Sequence, residues 1–439
     1  MINPLRHILS ILAAVLLLAL PLAASRATLE IEITQGVNAA VPVAVVPFAW
    51  AGQTAPPVDV AEVIGADLTR SGRFKALDPK DMLEKPTEAT AVNFNNWQVL
   101  KINDLVIGRI KQVGGGYSVE YQVFNVYTHQ QIMGYSVATS AARLRYTAHF
   151  ISDTIYQKLT GQRGAFTTRV AYVEISGHQH YALIVADADG FNAQPVMESA
   201  SEPIMSPTWS PDGRKIAYVS FESKMPAVYL QDLATGKREL LSRREGINGA
   251  PVFSPDGKSL AMTLSTSPGN PDIYVMDLAT RQLRRITTSD AIDTEPDWSP
   301  DGQSLYFTSD RGGTPQIYKV SAKGGEPQRV TFDGSYNADP QVSPDGRSLA
   351  MVHRDNGNLY IAVMDLASGT LQTLTDGGLD KSPSFAPNGS MIIYSAIYHD
   401  QGVLEEVSVD GQVHERLSER QNGVDVQTPV WGPFQASGQ

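Results

Sequence analysis

The chain contains no cysteine. That excludes disulfides, thiolate nucleophiles and cysteine-ligated zinc in one step. Histidine is scarce, with 8 in 439 residues, one of them inside an N-terminal apolar leader. No Gly-x-Ser-x-Gly elbow occurs, so a serine-hydrolase domain has no nucleophile here. No Gly-x-Gly-x-x-Gly or Walker pattern is present either, and the glycines at 114–116 are not a phosphate loop. Beyond residue 27 there is no long apolar run, so no second membrane-directed segment is expected.

What is present begins with that leader. In "MINPLRHILSILAAVLLLALPLAASRA", Arg6 and His7 precede an apolar run from Ile8 to Leu22, followed by small residues. The run is shorter than the roughly 20 residues a spanning helix needs, so residues 1–27 read as a secretory signal peptide. Ala24 and Ala27 both qualify as its last residue. No cysteine follows, so no lipid anchor is expected. The mature chain should be soluble, without membrane insertion, and in a Gram-negative cell it should lie in the periplasm. Charge is unevenly placed: residues 28–165 carry 12 Lys/Arg against 12 Asp/Glu, and residues 166–439 carry 21 against 34. A C-terminal region this acidic repels phosphate backbones, which makes nucleic acid a poor partner.

That acidic region is repetitive. Ser-Pro-Asp-Gly starts at 210, 254, 299 and 343, and a worn copy, Ala-Pro-Asn-Gly, at 386. The spacings of 44, 45, 44 and 43 residues lie in the range of solenoids, propellers and arrays. Each turn is followed by three short runs of β-formers, for example "KIAYVSF", "AVYLQDLATG" and "KRELLS", and preceded by a run such as "PTW". Four strands per period define a propeller blade. Pro fixes φ at the first turn position, and Asp-Gly supplies an acceptor and a residue free to take positive φ, so the turns read as structural. Their Asp and Gly spacing does not fit a calcium loop. The first-strand element recurs at Pro207, Pro251, Pro296, Pro340, Pro383 and Pro429, while "RVAYVEI" at Arg169 supplies a second strand without a first. The last element near Trp431 should therefore complete the blade that begins at Arg169. The expected architecture is a six-bladed all-β propeller over 166–439, closed by its C-terminal strand.

Residues 28–165 lack this period and read as an α/β domain. "VPVAVVPF" (41–48) suits a buried strand, and Val60, Val63, Ile64 and Leu68 share one helical face. Three antiparallel strands are expected between Asp104 and Thr139, with a turn at 114–116. A helix then carries Leu144, Ala148, Ile151, Ile155 and Leu159 inward and stops at Gly161.

Sites of chemistry are few. His178 and His180 in "GHQH" are a weak metal pair without a third ligand, and no cofactor is expected. The segments leading into each first strand differ from blade to blade, and scaffolded loops are where binding residues concentrate. Asp290, Asp293, Glu295, Asp297, Asp339 and Asp380 should make this rim acidic and suited to a basic protein patch. A hydrolase using carboxylates in the central tunnel, or a metal-binding propeller, stays open as an alternative.

The combination of "VPVAVVPF", "SEPIMSPTWSPDG", "NGAPVFSPDG", "DTEPDWSPDG", "APNGSMIIYS" and the final "VWGP" resembles the TolB family, periplasmic propeller proteins of the Tol–Pal system. The likeness covers nearly all of the mature chain. It implies a monomeric, non-enzymatic scaffold with a role in outer-membrane integrity and cell-division constriction. It would dock the lipoprotein Pal on the rim, TolA on the N-terminal segment, and other envelope proteins. Carried over residue by residue, the Pal contacts would be Glu202, Met205, Asn248, Gly249, Ala250, Thr294, Glu295, Asn337 and Asp339. The TolA segment would be "TLEIEITQGV", with Leu29, Glu30, Ile31, Glu32 and Ile33 alternating as an added strand would. Ile247 departs from the family pattern, in which some members carry His before "NGAP".

Overall fold

Both faces of strand β1 (Val41–Val45) are covered, which is why its sequence is an unbroken apolar run. Val43 and Val45 join one core, and Ala44 and the following Val46 join the core on the opposite face. The computed structural model describes residues 40–52, 55–177, 179–265, 269–417 and 423–435. The leader and the segment 28–39 lie outside them. Strand β2 (Ala49–Trp50) and strand β3 (Phe74–Ala76) flank the central pairing of β1 with β4 (Asp104–Val113). Antiparallel β5 (Gly116–Asn125) and β6 (Gln130–Thr139) complete the sheet as expected, with Gly114 in the turn at φ +59°.

Helix α1 (Val60–Arg70) is capped by Asp59, whose carboxylate accepts from the amides of Ala61 at 3.0 Å and Glu62 at 3.1 Å. A short helix α2 (Phe94–Val99), not anticipated from periodicity, buries Trp97 against the other face of the sheet. Helix α3 (Leu144–Thr160) packs beside α1 with Leu144, Ala148, Ile151 and Ile155 fully buried and Leu159 at the margin. It ends at Gly161, which adopts φ +78° as a left-handed cap.

Six four-stranded antiparallel sheets follow. Five are continuous in sequence; in the sixth, Val424–Trp431 pairs with Arg169–Ser176, so the chain's last strand closes the ring. The Ser-Pro-Asp-Gly turns are built alike. At the first, Ser210 Oγ donates to Asp212 Oδ1 at 2.6 Å, and that carboxylate accepts the Arg214 amide at 3.0 Å. Gly213 takes φ +67°, and a Cβ there would sit 3.5 Å from the ring of Pro433. In the next blades the turn glycine faces the turn proline of the blade before it, as Gly257 faces Pro211 and Gly302 faces Pro255. The motif is therefore an inter-blade contact as well as a turn.

The worn fifth turn has its own reason. Asn388 Nδ2 donates to the carbonyl of Arg163 at 3.1 Å, and its backbone carbonyl accepts from Gln162. The junction between the two domains thus rests on this turn, and Asp could not donate there. Gly164 is required beside it, because a Cβ would lie 2.4 Å from Asp153 Oδ1. Asp153 in turn accepts the amides of Phe166 at 2.8 Å and Thr167 at 3.3 Å. We expect Asn388→Asp to lower unfolding free energy by about 1 kcal/mol, the worth of one hydrogen bond, in urea titrations.

Candidate partner-binding rim

The amino-terminal domain packs on the propeller face that carries the turns, meeting it at Ala188, Asp189 and Asn388, while the turn prolines Pro211, Pro255, Pro300 and Pro344 stay exposed. The opposite face is built by the six inner strands and the segments that enter them. Each inner strand breaks register once, at the residue before its proline: between Met205 and Thr208, Gly249 and Val252, Thr294 and Asp297, Ala338 and Gln341, Lys381 and Ser384, and Gln427 and Val430. At each bulge the residue before proline is left-handed: Ser206, Ala250, Glu295, Asp339, Ser382 and Thr428, with φ between +42° and +54°. Six strained non-glycine residues in a ring are uncommon, and such strain concentrates where a surface is functional. Proline is tolerated because the inner strand is the edge of its sheet. Together these residues line an axial cavity of about 300 Å³.

Inside the cavity, inner-strand side chains tie neighbouring blades together. Glu295 Oε2 accepts from Thr308 Oγ1 at 2.8 Å and from the Asp339 amide at 2.9 Å. Asp297 Oδ2 accepts the Val342 amide at 2.7 Å, Gln341 accepts the Phe385 amide, and Ser384 Oγ accepts the Trp431 amide at 2.9 Å. Burial pushes the Asp297 carboxyl up to about 7. Burial, together with the Glu295 and Asp297 carboxylates, holds Asp339 well above the usual carboxylate range. A raised carboxyl favours the fold in its protonated form, so its contribution is present below pH about 4 and lost as pH climbs towards 7. Asp297→Asn should therefore leave stability unchanged at pH 4 and raise it by about 2 kcal/mol at pH 8, read from urea unfolding at both values.

The acids and amides expected on the rim divide into three sets. Asn248, Asp293, Asn337 and Asp380 occupy one equivalent position, the entry to an inner strand, and each is at most 1 % exposed. Asn248 accepts from Ser242 Oγ at 2.7 Å and the Arg244 amide at 3.0 Å, and donates to the Arg244 carbonyl at 2.8 Å. Asn337 donates to Gln316 Oε1 at 2.9 Å and to the Asp333 carbonyl at 2.8 Å. Asp293 is chelated by Arg311 Nη2 at 2.9 and 2.8 Å, and burial pushes Asp380 up to about 6. These four hold the entry loops from inside and present no side chain to a partner. Glu295, Asp297 and Asp339 face the cavity. Only Asp290 of the six expected acids is exposed. The acidic docking face is corrected accordingly: most of the charge has retreated into the blade wedges and the axis, where guanidinium groups, amides or protons neutralise it.

Apolar side chains stand where the acids were expected. Ile247, Ile292 and Leu379 each precede one of the buried Asn or Asp residues and are 46, 48 and 50 % exposed. Tyr336 takes the same place in its blade, and Met205, 41 % exposed, completes the arc. Ile247, Ile292, Tyr336 and Leu379 are single in each loop and 43 to 45 positions apart, so superposing the repeats would have revealed them. Glu202 is half-buried and paired with Lys224, while Gly249, Ala250 and Thr294 are half-buried, with Ala250 on the cavity wall. Leu29, Glu30, Ile31, Glu32, Ile33 and His178 lie outside the described residues. His180 meets a single carboxylate, Glu198, at 4.0 Å.

Six four-stranded blades around an axial cavity, joined to an amino-terminal α/β domain, define the class: a six-bladed β-propeller protein with an appended α/β domain. Residues 29–132 match the TolB amino-terminal domain family and residues 156–435 the TolB beta propeller domain family. The chain belongs to the TolB family. It is 51 % identical to the Tol-Pal system protein TolB of Xanthomonas oryzae pv. oryzae, over 97 % of this chain and 98 % of that one. It is equally identical to the same protein of Xanthomonas euvesicatoria pv. vesicatoria, over 99 % of both. The crystal structure of TolB from Acinetobacter baumannii superposes with a TM-score of 0.83 at 42 % identity, covering 90 % of this chain and 97 % of that one. A nidogen/laminin complex chain, 11 % identical with a TM-score of 0.51, shares the fold alone. Among the described residues no helix is long and apolar enough to cross a membrane.

Proposed function

We propose that the chain is a periplasmic, non-enzymatic connector of the Tol–Pal system, docking Pal on the open rim and TolA through the segment 28–37. The observation that carries this reading is the arc of half-exposed apolar residues around a polar cavity mouth. Half-exposed apolar side chains gathered on one face are what a partner can desolvate, and the polar mouth between them can take the partner's polar groups. In this reading Glu202, Met205, Gly249, Ala250, Thr294, Glu295 and Asp339 touch Pal. Asn248 and Asn337 position them, and Ile247, Ile292 and Leu379 add the apolar anchors. The cavity carboxylates of Glu295 and Asp297 accept backbone amides of the next blade, which supports a structural use over hydrolysis. The link between outer and inner envelope would serve outer-membrane integrity and constriction at division.

The test is calorimetric titration of the mature protein with the soluble domain of Pal, beside a variant beginning after Val37. Saturable binding supports the reading, and a changed affinity in the shortened variant couples the N-terminal segment to the rim. Absence of binding at micromolar concentrations would remove Pal as the rim's partner.

A further inference from the structure

On the face that carries the turns, far from the rim, the interface of the two domains contains a buried histidine set between two carboxylates. His149 projects from α3 and is 2 % exposed. Its Nδ1 lies 2.7 Å from Asp67 Oδ2 on α1, so that nitrogen carries the proton and donates. Its Nε2 is buried, makes no hydrogen bond, and points at Asp189 Oδ2 3.5 Å away. Asp189 belongs to the propeller, in the turn after the strand His180–Asp187, and Asp187 stands two residues before it. One ligand atom each from His149, Asp187 and Asp189 falls within 4.8 Å of the others.

We infer that His149, Asp187 and Asp189 form a divalent-cation site, best suited to Zn²⁺, that staples the amino-terminal domain to the propeller. Imidazole nitrogen with two carboxylate oxygens is a zinc ligand set with a fourth position open to water. The Asp67 carboxylate behind Nδ1 is the outer partner that metal-bound histidines use to fix tautomer and ring orientation. The carboxylates of Asp67, Asp187 and Asp189 converge there on the Arg70 and Arg145 guanidinium groups and the His149 ring. Arg145 now shares Asp189 Oδ2, and its stacking on the Phe191 ring at 4.1 Å offers it an alternative seat when a cation arrives. A cavity of about 400 Å³ that reaches Asp189, Gly190 and Phe191 provides an entry path.

This site is independent of the rim and of any partner there. The test uses the mature protein stripped with chelator and titrated with ZnCl₂ by calorimetry, then with Co²⁺ as a spectroscopic probe. We expect one equivalent of zinc to bind and to raise the melting temperature, and Co²⁺ to give a visible d–d band. His149→Gln keeps a donor towards Asp67 but should weaken zinc binding at least about 10-fold and abolish that band. Asp187→Asn, at a partly exposed position that does not depend on core packing, should weaken binding by a similar factor. Absence of a saturable equivalent in the wild type, or zinc binding that both variants leave unchanged, would overturn the assignment.

Discussion

Replacing Ile292 and Leu379 together by Glu should weaken Pal binding by about 100-fold or more while the melting temperature stays where it was. Both side chains are about half exposed in the free protein, so the substitution removes little from the core. Each would be desolvated in a docked complex, and apolar anchors at the centre of an interface are worth about 2 kcal/mol each when lost. Two such losses correspond to roughly three decades of affinity, of which new contacts by the Glu stems recover a part. The control is Asp290→Lys, an exposed carboxylate on the same loop as Ile292. If charge at the rim dominated, this reversal would be the more damaging change, and it would alter the association rate and its salt dependence. We expect it to shift affinity less than about 5-fold. Calorimetry on the three proteins separates the cases, and an unchanged affinity in the double variant would mean that the arc is not the anchor.

The architecture was legible because each blade repeats its own punctuation. Pro-Asp-Gly turns every 44 or so residues marked the blades, and the lone element at Pro429 completed the one begun at Arg169. The amino-terminal sheet was legible for a different reason, since β1 is buried on both faces and α3 keeps a helical period. Facing within the inner strands was not legible. Counting alternately back from buried Trp298 assigns Thr294 to the core and Asp293 to solvent. The observed pattern over Asp293–Trp298 is buried, two partly buried, buried, partly buried, buried. The bulge at Glu295 inserts one residue and reverses the parity of everything before it. Nothing in the residue types "DTEPDW" announces that bulge except a proline, whose usual meaning is only an edge strand. The cation site was hidden for a third reason. His149 is far in sequence from Asp187 and Asp189 and meets them only because two domains dock.

The same inversion sets the second large effect. Asp293→Ala should lower unfolding free energy by about 3 kcal/mol, although sequence alone would class it as a harmless surface change. Asp293 is fully buried and receives both of its short charge-assisted bonds from Arg311 Nη2, at 2.9 and 2.8 Å. The Arg311 side chain is only 20 % exposed and lies over the rings of Phe307 and Tyr318, so it has no easy route to water. Removing the carboxylate leaves a desolvated cation beside a small void. Asp293→Asn keeps an acceptor in place and should lose about half as much, because the remaining bond joins a charged donor to a neutral group. The pair of variants tests the ion pair itself rather than the cavity. Equal losses in both would assign the effect to charge alone, and a loss below about 0.5 kcal/mol in Asp293→Ala would show that the pair contributes nothing. Urea unfolding at pH 7 reads the difference. The variants also report on the rim, since Asp293 holds the loop that presents Ile292. Pal affinity should fall with Ala by a larger factor than with Asn, in step with the loosening of that loop.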